Sequence, residues 1–172
     1  MGDLRERIRH DDSALQKLME AIPGYPGYHD KEVRRTADKV LRDHLVGLLE
    51  ETRSRLGRLQ SEVAQAADLK AAGGLDRVAR RMLRAQDRLQ HASYGYAGFF
   101  DAVQIGPEKL DRLYDYDLAL KDFLGKIDSA TTAVIEATAE ARPAAINALG
   151  DAIDELLRML DARGEAAAAL TP

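Results

Sequence analysis

Apolar residues recur every three or four positions along most of this chain, which is the spacing of one face of an α-helix. The longest such pattern begins after Asp30, a residue suited to cap a helix, and continues to about Leu69. A second pattern from Leu75 to Val103 alternates steps of three and four, as the seam of a coiled coil does. At 1.5 Å per residue the first helix would be roughly 60 Å long, so we expect an elongated molecule.

Glycine and proline pairs divide these patterns into separate helices. Gly73-Gly74 predicts the turn of an antiparallel hairpin between the two long helices. Gly106-Pro107 predicts the start of a fourth helix that folds back along the third and extends to about Ala141. Arg142-Pro143 separates it from a last helix, whose end at 165–170 is expected to fray.

The N-terminal part carries a helical pattern over 3–22, with a polar interval at 10–13 where the helix could break. Two Pro-Gly pairs follow within 22–28 and predict consecutive turns, because neither pair can continue a helix. Tyr25 and Tyr28 lie in this loop, and we expect their rings to pin it against the rest of the protein.

Together these patterns predict an all-α fold, an elongated antiparallel helical bundle built on a long, coiled-coil-like helix hairpin. We interpret the chain as one domain with three parts. Residues 1–28 would form an N-terminal helix and the Pro-Gly-Tyr loop. Residues 29–141 would form the core hairpin with a third antiparallel helix, and residues 142–172 a C-terminal helix with a frayed tail.

The composition limits the cellular compartment that we expect and the kinds of chemistry that the side chains can perform. With 45% hydrophobic and 31% charged residues, the 172-residue chain has the balance of a globular protein rather than a disordered one. It contains no cysteine, which excludes disulfides and thiolate chemistry. The chain starts with charged residues and has no apolar run of membrane-spanning length, so we expect a cytoplasmic protein. The abundance of arginine and alanine is typical of a GC-rich bacterium.

A basic stripe follows one flank of the third helix, since four arginines recur there at steps of four, three and four: Arg77, Arg81, Arg84 and Arg88. This arginine stripe could dock an acidic protein or anionic lipid headgroups, whereas the net charge of -4 argues against nucleic acid. The alternative is a solvated flank that pairs with acidic residues of a neighbouring helix. The candidates on the fourth helix are Asp111, Asp115 and Asp122.

Aromatic residues make up only 5% of the chain, and several of them cluster with glycines near the end of the third pattern. One interpretation is a ligand pocket, for which the candidate residues are His91, Tyr94, Tyr96, Phe99 and Phe100. The alternative is an aromatic core at one end of the bundle, where glycines allow close packing.

We expect no cofactor and no bound metal ion. The Glu-x-x-His pairs of di-iron helical bundles do not occur in the sequence. If a metal were bound, its ligands would be His44, His91 and Asp122, because counting along a hairpin turn at Gly106 places His91 and Asp122 level with each other.

No catalytic residue can be assigned from the sequence. It contains neither a Gly-x-Ser-x-Gly elbow nor a phosphate-binding glycine loop. Asp117 falls at a seam position, where a buried carboxylate is costly unless it is paired. Either an arginine from another helix meets it and fixes the register, or the helix rotates locally so that Leu118 faces inward.

These observations favour a non-enzymatic protein–protein interaction or scaffold module, whose partner is another protein or a second copy of this chain. One alternative is a helical bundle that binds a metal ion or a small ligand. The other is peripheral binding to anionic membranes through the arginine stripe, without a membrane-spanning segment.

Overall fold

A computed structural model describes residues 14–92 and 96–170, which form helices joined by short connections. The first helix, α1, covers 14–21. The others are α2 (Lys31–Gln65), α3 (Leu69–His91), the short α4 (Ala97–Asp101), α5 (Pro107–Glu136) and α6 (Arg142–Ala168). The described residues contain no strand, so the predicted all-α helical bundle is confirmed. The predicted start of the first helix at residue 3 and its break at 10–13 lie outside the described residues.

The four long helices form two antiparallel hairpins, α2 with α3 and α5 with α6. Arg42 near the start of α2 meets the end of α3, and Asp117 near the start of α5 meets Arg163 near the end of α6. Between the hairpins the neighbours run parallel. Ion pairs join Arg81 to Asp154 and Arg88 to Asp161 across α3 and α6, while α2 packs beside α5.

The prediction that the fourth helix folds back along the third is wrong. α5 packs against α6 and α2, and α3 packs against α2 and α6, so α3 and α5 are diagonally opposite in the bundle. The connection between them contains α4 and is long enough to cross one end of the bundle, so α5 need not be the neighbour of α3.

The predicted turn at Gly73-Gly74 is also wrong, because both glycines lie inside α3. α2 ends instead with Ala67 in the left-handed conformation, at φ 57°. The amide of Asp68 donates to the carbonyl of Val63, and the amide of Ala67 donates to that of Ala64, which is the hydrogen-bond pattern of a Schellman C-cap. The Asp68 side chain then caps α3 by accepting from the amide of Ala71.

The third helix ends earlier than the heptad pattern predicts, at His91 rather than Val103. Arg42 accounts for the end of α3, because its Nη1 donates to the carbonyls of Leu89 and Gln90, both at 3.1 Å. Val103 is 79% exposed and does not extend the apolar seam.

The predicted boundary between the last two helices is close to the observed one. α5 ends at Glu136, and Pro143 lies in the first turn of α6, where its missing amide proton is not needed. The segment predicted to fray is helical to Ala168, and the side chains of Ala167 and Leu170 are buried.

Candidate functional site

Five charged side chains are buried at the end of the bundle where α2 and α5 begin and α6 ends. Each is at most 8% exposed. We call them the buried charge cluster: Arg34, Asp38, Arg42, Asp117 and Arg163. Charges at such depth destabilise a fold unless hydrogen bonds and opposite charges compensate them.

Arg163 of α6 is the centre of this cluster. Its Nε donates to Oδ1 of Asp117 at 2.5 Å, and its Nη2 donates to Oδ1 of Asp38 at 3.0 Å and to the Tyr28 hydroxyl at 2.9 Å. The guanidinium carbon also lies 5.2 Å from the centre of the Tyr96 ring. One side chain therefore ties α6 to α2, α5 and the N-terminal loop.

Asp38 holds a second guanidinium group beside that of Arg163. Its other oxygen, Oδ2, accepts from Nε of Arg42 at 2.7 Å. Because the two arginines occupy the two oxygens of one carboxylate, their guanidinium groups are held side by side.

The Pro-Gly-Tyr loop enters the cluster through its tyrosines. The hydroxyl of Tyr28 donates to Oδ2 of Asp117 at 2.7 Å, and that of Tyr25 donates to the same oxygen at 3.5 Å. The amide of Tyr28 donates to the hydroxyl of Tyr114, and the two rings stack with their centroids 5.5 Å apart. These contacts pin the loop to α5, as the sequence predicted.

Burial sets the protonation of these groups. It raises the pKa of Tyr25 and Tyr28, and the Asp117 carboxylate raises both further, so the two hydroxyls stay protonated. Burial also raises the pKa of Asp117, although Arg163 acts to lower it; every hydrogen-bond partner of that carboxylate is a donor, which fits the ionised form. Burial alone would lower the pKa of Arg163, but Asp117 and Tyr28 raise it well above its ordinary value.

Arg34 is compensated differently from the other two arginines. Its Nε donates to the carbonyl of Tyr28 at 3.1 Å, and its Nη1 donates to the carbonyl of Ala102 at 2.6 Å. Its guanidinium carbon lies 5.7 Å from the centre of the Phe99 ring. These partners are dipoles and a ring rather than carboxylates.

A cleft of about 520 Å³ opens beside the cluster, where α3 ends and the space between α2 and α6 is exposed. We call it the corner cleft. Its apolar wall includes four leucines: Leu41, Leu45, Leu89 and Leu160. Its polar lining consists of Arg42, Arg163, Tyr96 and, at the more exposed rim, Arg88, Asp161 and Glu165.

Three polar side chains of the corner cleft have donor atoms without an acceptor among the described residues. Arg163 uses Nε and Nη2 within the protein, which leaves Nη1. Arg42 uses Nε and Nη1, which leaves Nη2. The hydroxyl of Tyr96, a side chain only 6% exposed, is the third such donor. The corner cleft is therefore a place where a bound molecule would meet unused hydrogen-bond donors.

Two of the four arginines of the arginine stripe form ion pairs in the structure. Arg81 forms an ion pair with Asp154 at 3.0 Å and Arg88 forms one with Asp161, whereas Arg77 and Arg84 are exposed and have no charged partner among the described residues. The acidic partners come from α6, because α6 lies beside α3; none comes from the three aspartates named on α5.

Of the five residues predicted to form an aromatic pocket, the structure describes four, and the rings of Tyr96, Phe99 and Phe100 lie in one chain of contacts. Tyr96 lines the corner cleft, while Phe99 and Phe100 belong to the buried core. His91 is exposed, and its Nδ1 lies 2.8 Å from the carbonyl of Asp87. Tyr94 lies outside the described residues.

The three residues named as metal ligands are dispersed. His44 is half-buried on α2, and its pKa is lowered mainly by burial and also by the positive charge of Lys121. Asp122 forms an ion pair with Lys121 at 3.1 Å. His91 is on α3, diagonally opposite α5, so the hairpin counting that brought it level with Asp122 does not apply. The described residues contain no group of three His, Asp or Glu side chains that could hold a metal ion.

Of the two interpretations of Asp117, the structure supports pairing with an arginine, and Leu118 stays half-buried. Sequence reasoning missed Arg34, Asp38, Arg42 and Arg163. A signal was present in α2, because Arg34, Asp38 and Arg42 are spaced by four and share a face with its apolar seam.

Comparisons of this chain with protein-family models, curated proteins and solved structures found no match. No helix in the described part of the chain is long and apolar enough to cross a membrane.

Proposed function

We propose that this protein is a non-enzymatic binding module, a helical bundle that holds a small organic ligand in the corner cleft. The observation that carries this proposal is the set of unused donors on Arg42, Arg163 and Tyr96, all of which line one cleft. These donors are open to solvent rather than sealed in the interior, and a ligand that supplies acceptors would replace water with charge-assisted hydrogen bonds to the two arginines.

The dimensions and lining of the cleft fit this proposal. Its volume of about 520 Å³ lies within the range typical of small-molecule sites. Such sites combine apolar walls with a few well-placed polar groups, as the four leucines and the three donors do. Binding is favoured over acid–base catalysis, because the buried charged side chains that line the cleft, Arg42 and Arg163, do not exchange protons near neutral pH.

The test uses a variant that fills the cleft without touching the buried charge cluster. A Cβ atom on Gly164 would meet only Tyr96 atoms at 3.8 Å, so a larger side chain fits and extends into the cleft that Gly164 lines. Gly164→Leu should abolish the ligand-induced rise in melting temperature seen with a panel of small organic compounds. The matched control is Gly57→Leu on α2, where a Cβ meets nothing within 4 Å.

The expected result is at least one compound that stabilises the wild type and Gly57→Leu but not Gly164→Leu. Native mass spectrometry of the purified protein provides a second reading, since a retained ligand would be lost in the filled variant. If no compound discriminates between the two variants, and no retained ligand is found, the cleft is not a binding site.

A second candidate function, docking of an acidic protein on α3, is supported by the unpaired half of the arginine stripe. Arg77 and Arg84 are exposed, and the neighbouring Leu83 is 47% exposed. We expect Arg77/Arg84→Glu to lose a cross-linked protein partner that the wild type retains. The matched control is Arg53/Arg58→Glu, which makes the same charge change on exposed positions of α2. Equal loss in both variants, or binding to anionic vesicles alone, would contradict protein docking.

A further inference from the structure

We propose that the ligand of the corner cleft is a monoanionic amphiphile, a monocarboxylate with an unbranched apolar chain. The inference rests on the proposed function of the cleft as a ligand site and specifies the chemical class of the ligand. Three properties of the site support it: the charge of the cluster, the type of the unused polar atoms, and the apolar wall.

The buried charge cluster has one more positive charge than negative. Arg34, Arg42 and Arg163 face only Asp38 and Asp117, and Arg34 is compensated by carbonyls that carry no net charge. A net charge in a low-dielectric interior is unfavourable, and an anion bound beside it lowers the electrostatic energy. The excess is a single charge, that of Arg34, which lies in the cluster but does not line the cleft, so a monoanion bound in the cleft would balance it, whereas a dianion would reverse the imbalance.

The unused polar atoms of Arg42, Arg163 and Tyr96 are hydrogen-bond donors. A carboxylate is an acceptor-only group with two oxygens, so it can accept from Arg163 Nη1, Arg42 Nη2 and the Tyr96 hydroxyl without leaving a donor of its own unsatisfied. An amine would place further donors against these donors. An alcohol could accept from one of them but would not balance the charge.

The remaining wall suits a hydrocarbon chain rather than a second polar group. Leu41, Leu45 and Leu89 are almost fully buried, and they line the cleft beside the arginines. Two carboxylates line the rim of the cleft: Asp161 pairs with Arg88, and Glu165 is exposed to solvent. A ligand with two acidic ends would place its second charge near these carboxylates and is therefore disfavoured.

The experiment is calorimetric titration of the full chain with decanoate, below its micelle concentration, beside three compounds with the same chain: decanol, decylamine and decyl phosphate. We expect decanoate to bind roughly tenfold more tightly than decanol, which is the gain expected for charged hydrogen bonds. Decylamine should not bind, and decyl phosphate should bind less tightly than decanoate.

Two variants test the recognition of the head group. Arg42→Lys keeps the charge but removes the guanidinium group, including Nη2 and the bonds of Nε and Nη1, whereas Tyr96→Phe removes only the hydroxyl. Each should weaken decanoate severalfold and leave decanol unchanged, with helicity preserved in circular dichroism. If Arg42→Lys fails to fold, Tyr96→Phe still tests the same head-group contact.

The outcomes separate this inference from the proposed function. If decanol or decylamine binds as tightly as decanoate, and Gly164→Leu blocks that binding, the cleft is a ligand site but the monocarboxylate inference is overturned. It is also overturned if none of the four compounds binds while a compound of the wider panel is blocked by Gly164→Leu. If neither set contains a compound sensitive to Gly164→Leu, both proposals fail.

Discussion

At the scale of single residues, Asp117 is the carboxylate that connects the N-terminal loop, α5 and α6. It is fully buried and accepts from Arg163 of α6 and from Tyr28 of the loop. Removing one partner of a buried ion pair leaves the other charge uncompensated, which costs more than the pair contributes when intact. The main effect of removing Asp117 would therefore be an uncompensated buried charge on Arg163, rather than the loss of the ion pair itself.

We predict that Asp117→Asn lowers the free energy of unfolding by about 3–5 kcal/mol, because Arg163 would keep its charge with Asp38 as the only carboxylate near it. Urea denaturation followed by circular dichroism measures this change. The neighbouring Asp115→Asn is the control, because Asp115 is exposed and its replacement should change stability by less than about 0.5 kcal/mol. Similar effects of the two substitutions would mean that the cluster does not stabilise the fold.

At the scale of elements, the glycines of the α2–α3 hairpin do not lie where glycine usually occurs, at the end of a helix. The left-handed position after α2 is occupied by Ala67, and the two glycines lie inside α3. Gly74 has a packing reason, since a Cβ there would lie 3.1 Å from the side chain of Ile146 on α6. Gly73 has none, because the nearest atom to its Cβ is 3.9 Å away, at the end of Arg77.

Two reciprocal substitutions test this hairpin. Ala67→Gly should stabilise the protein by about 1 kcal/mol, because a left-handed conformation costs an L-residue roughly that amount. Gly73→Ala should stabilise it by about 0.5–1 kcal/mol, because alanine favours the helix interior. Thermal unfolding measures both.

The control for the first substitution is Ala64→Gly, at an exposed position inside α2. This change should destabilise the protein by about 1 kcal/mol. For the second, Gly74→Ala should give less stabilisation than Gly73→Ala, since Ile146 must move. A destabilising Gly73→Ala would instead favour a turn at the two glycines.

For the whole molecule, the buried charge cluster joins parts of the chain that are far apart in sequence. Tyr25 and Tyr28 come from the loop, Tyr114 and Asp117 from α5, and Arg163 from the end of α6. Because these groups share hydrogen bonds, no single element can unfold locally without leaving buried charges on the other elements unpaired. Ionising the tyrosines should therefore require the bundle to open.

The corresponding prediction is a cooperative alkaline transition. Burial raises the pKa of Tyr25, Tyr28 and Tyr114 above the ordinary value of about 10, so the folded state keeps protons that the unfolded state loses. Their contribution to stability is intact below about pH 10 and falls as the pH rises above it. Absorbance at 295 nm and circular dichroism should show these tyrosines ionising together with the loss of helicity. Ionisation of the buried tyrosines with helicity intact would contradict this link.

Local structure was predictable at several places where it depends on neighbouring residues, although the turn at Ala67 was missed. The spacing of apolar residues indicated the helices, and Gly106-Pro107 marked the start of α5, because a capping residue and a proline act within one turn. The Pro-Gly pairs likewise predicted a loop, and Gly24 and Gly27 both have φ of 77° there. The seam position of Asp117 raised the question of a partner but did not identify it.

The amino-acid sequence by itself determined the helical class, the starts of α2, α5 and α6 and the position of the N-terminal loop, since these follow from periodicity and backbone preferences over a few residues. Only the tertiary structure decided that α5 lies beside α2 and α6, that Ala67 adopts a left-handed turn, and that Arg163 reaches Asp38 and Asp117. The physical reason is that helix neighbours and buried charge pairs are selected by packing free energy summed over the whole bundle. The corner cleft exists for the same reason, because it forms where one helix ends and its neighbours continue.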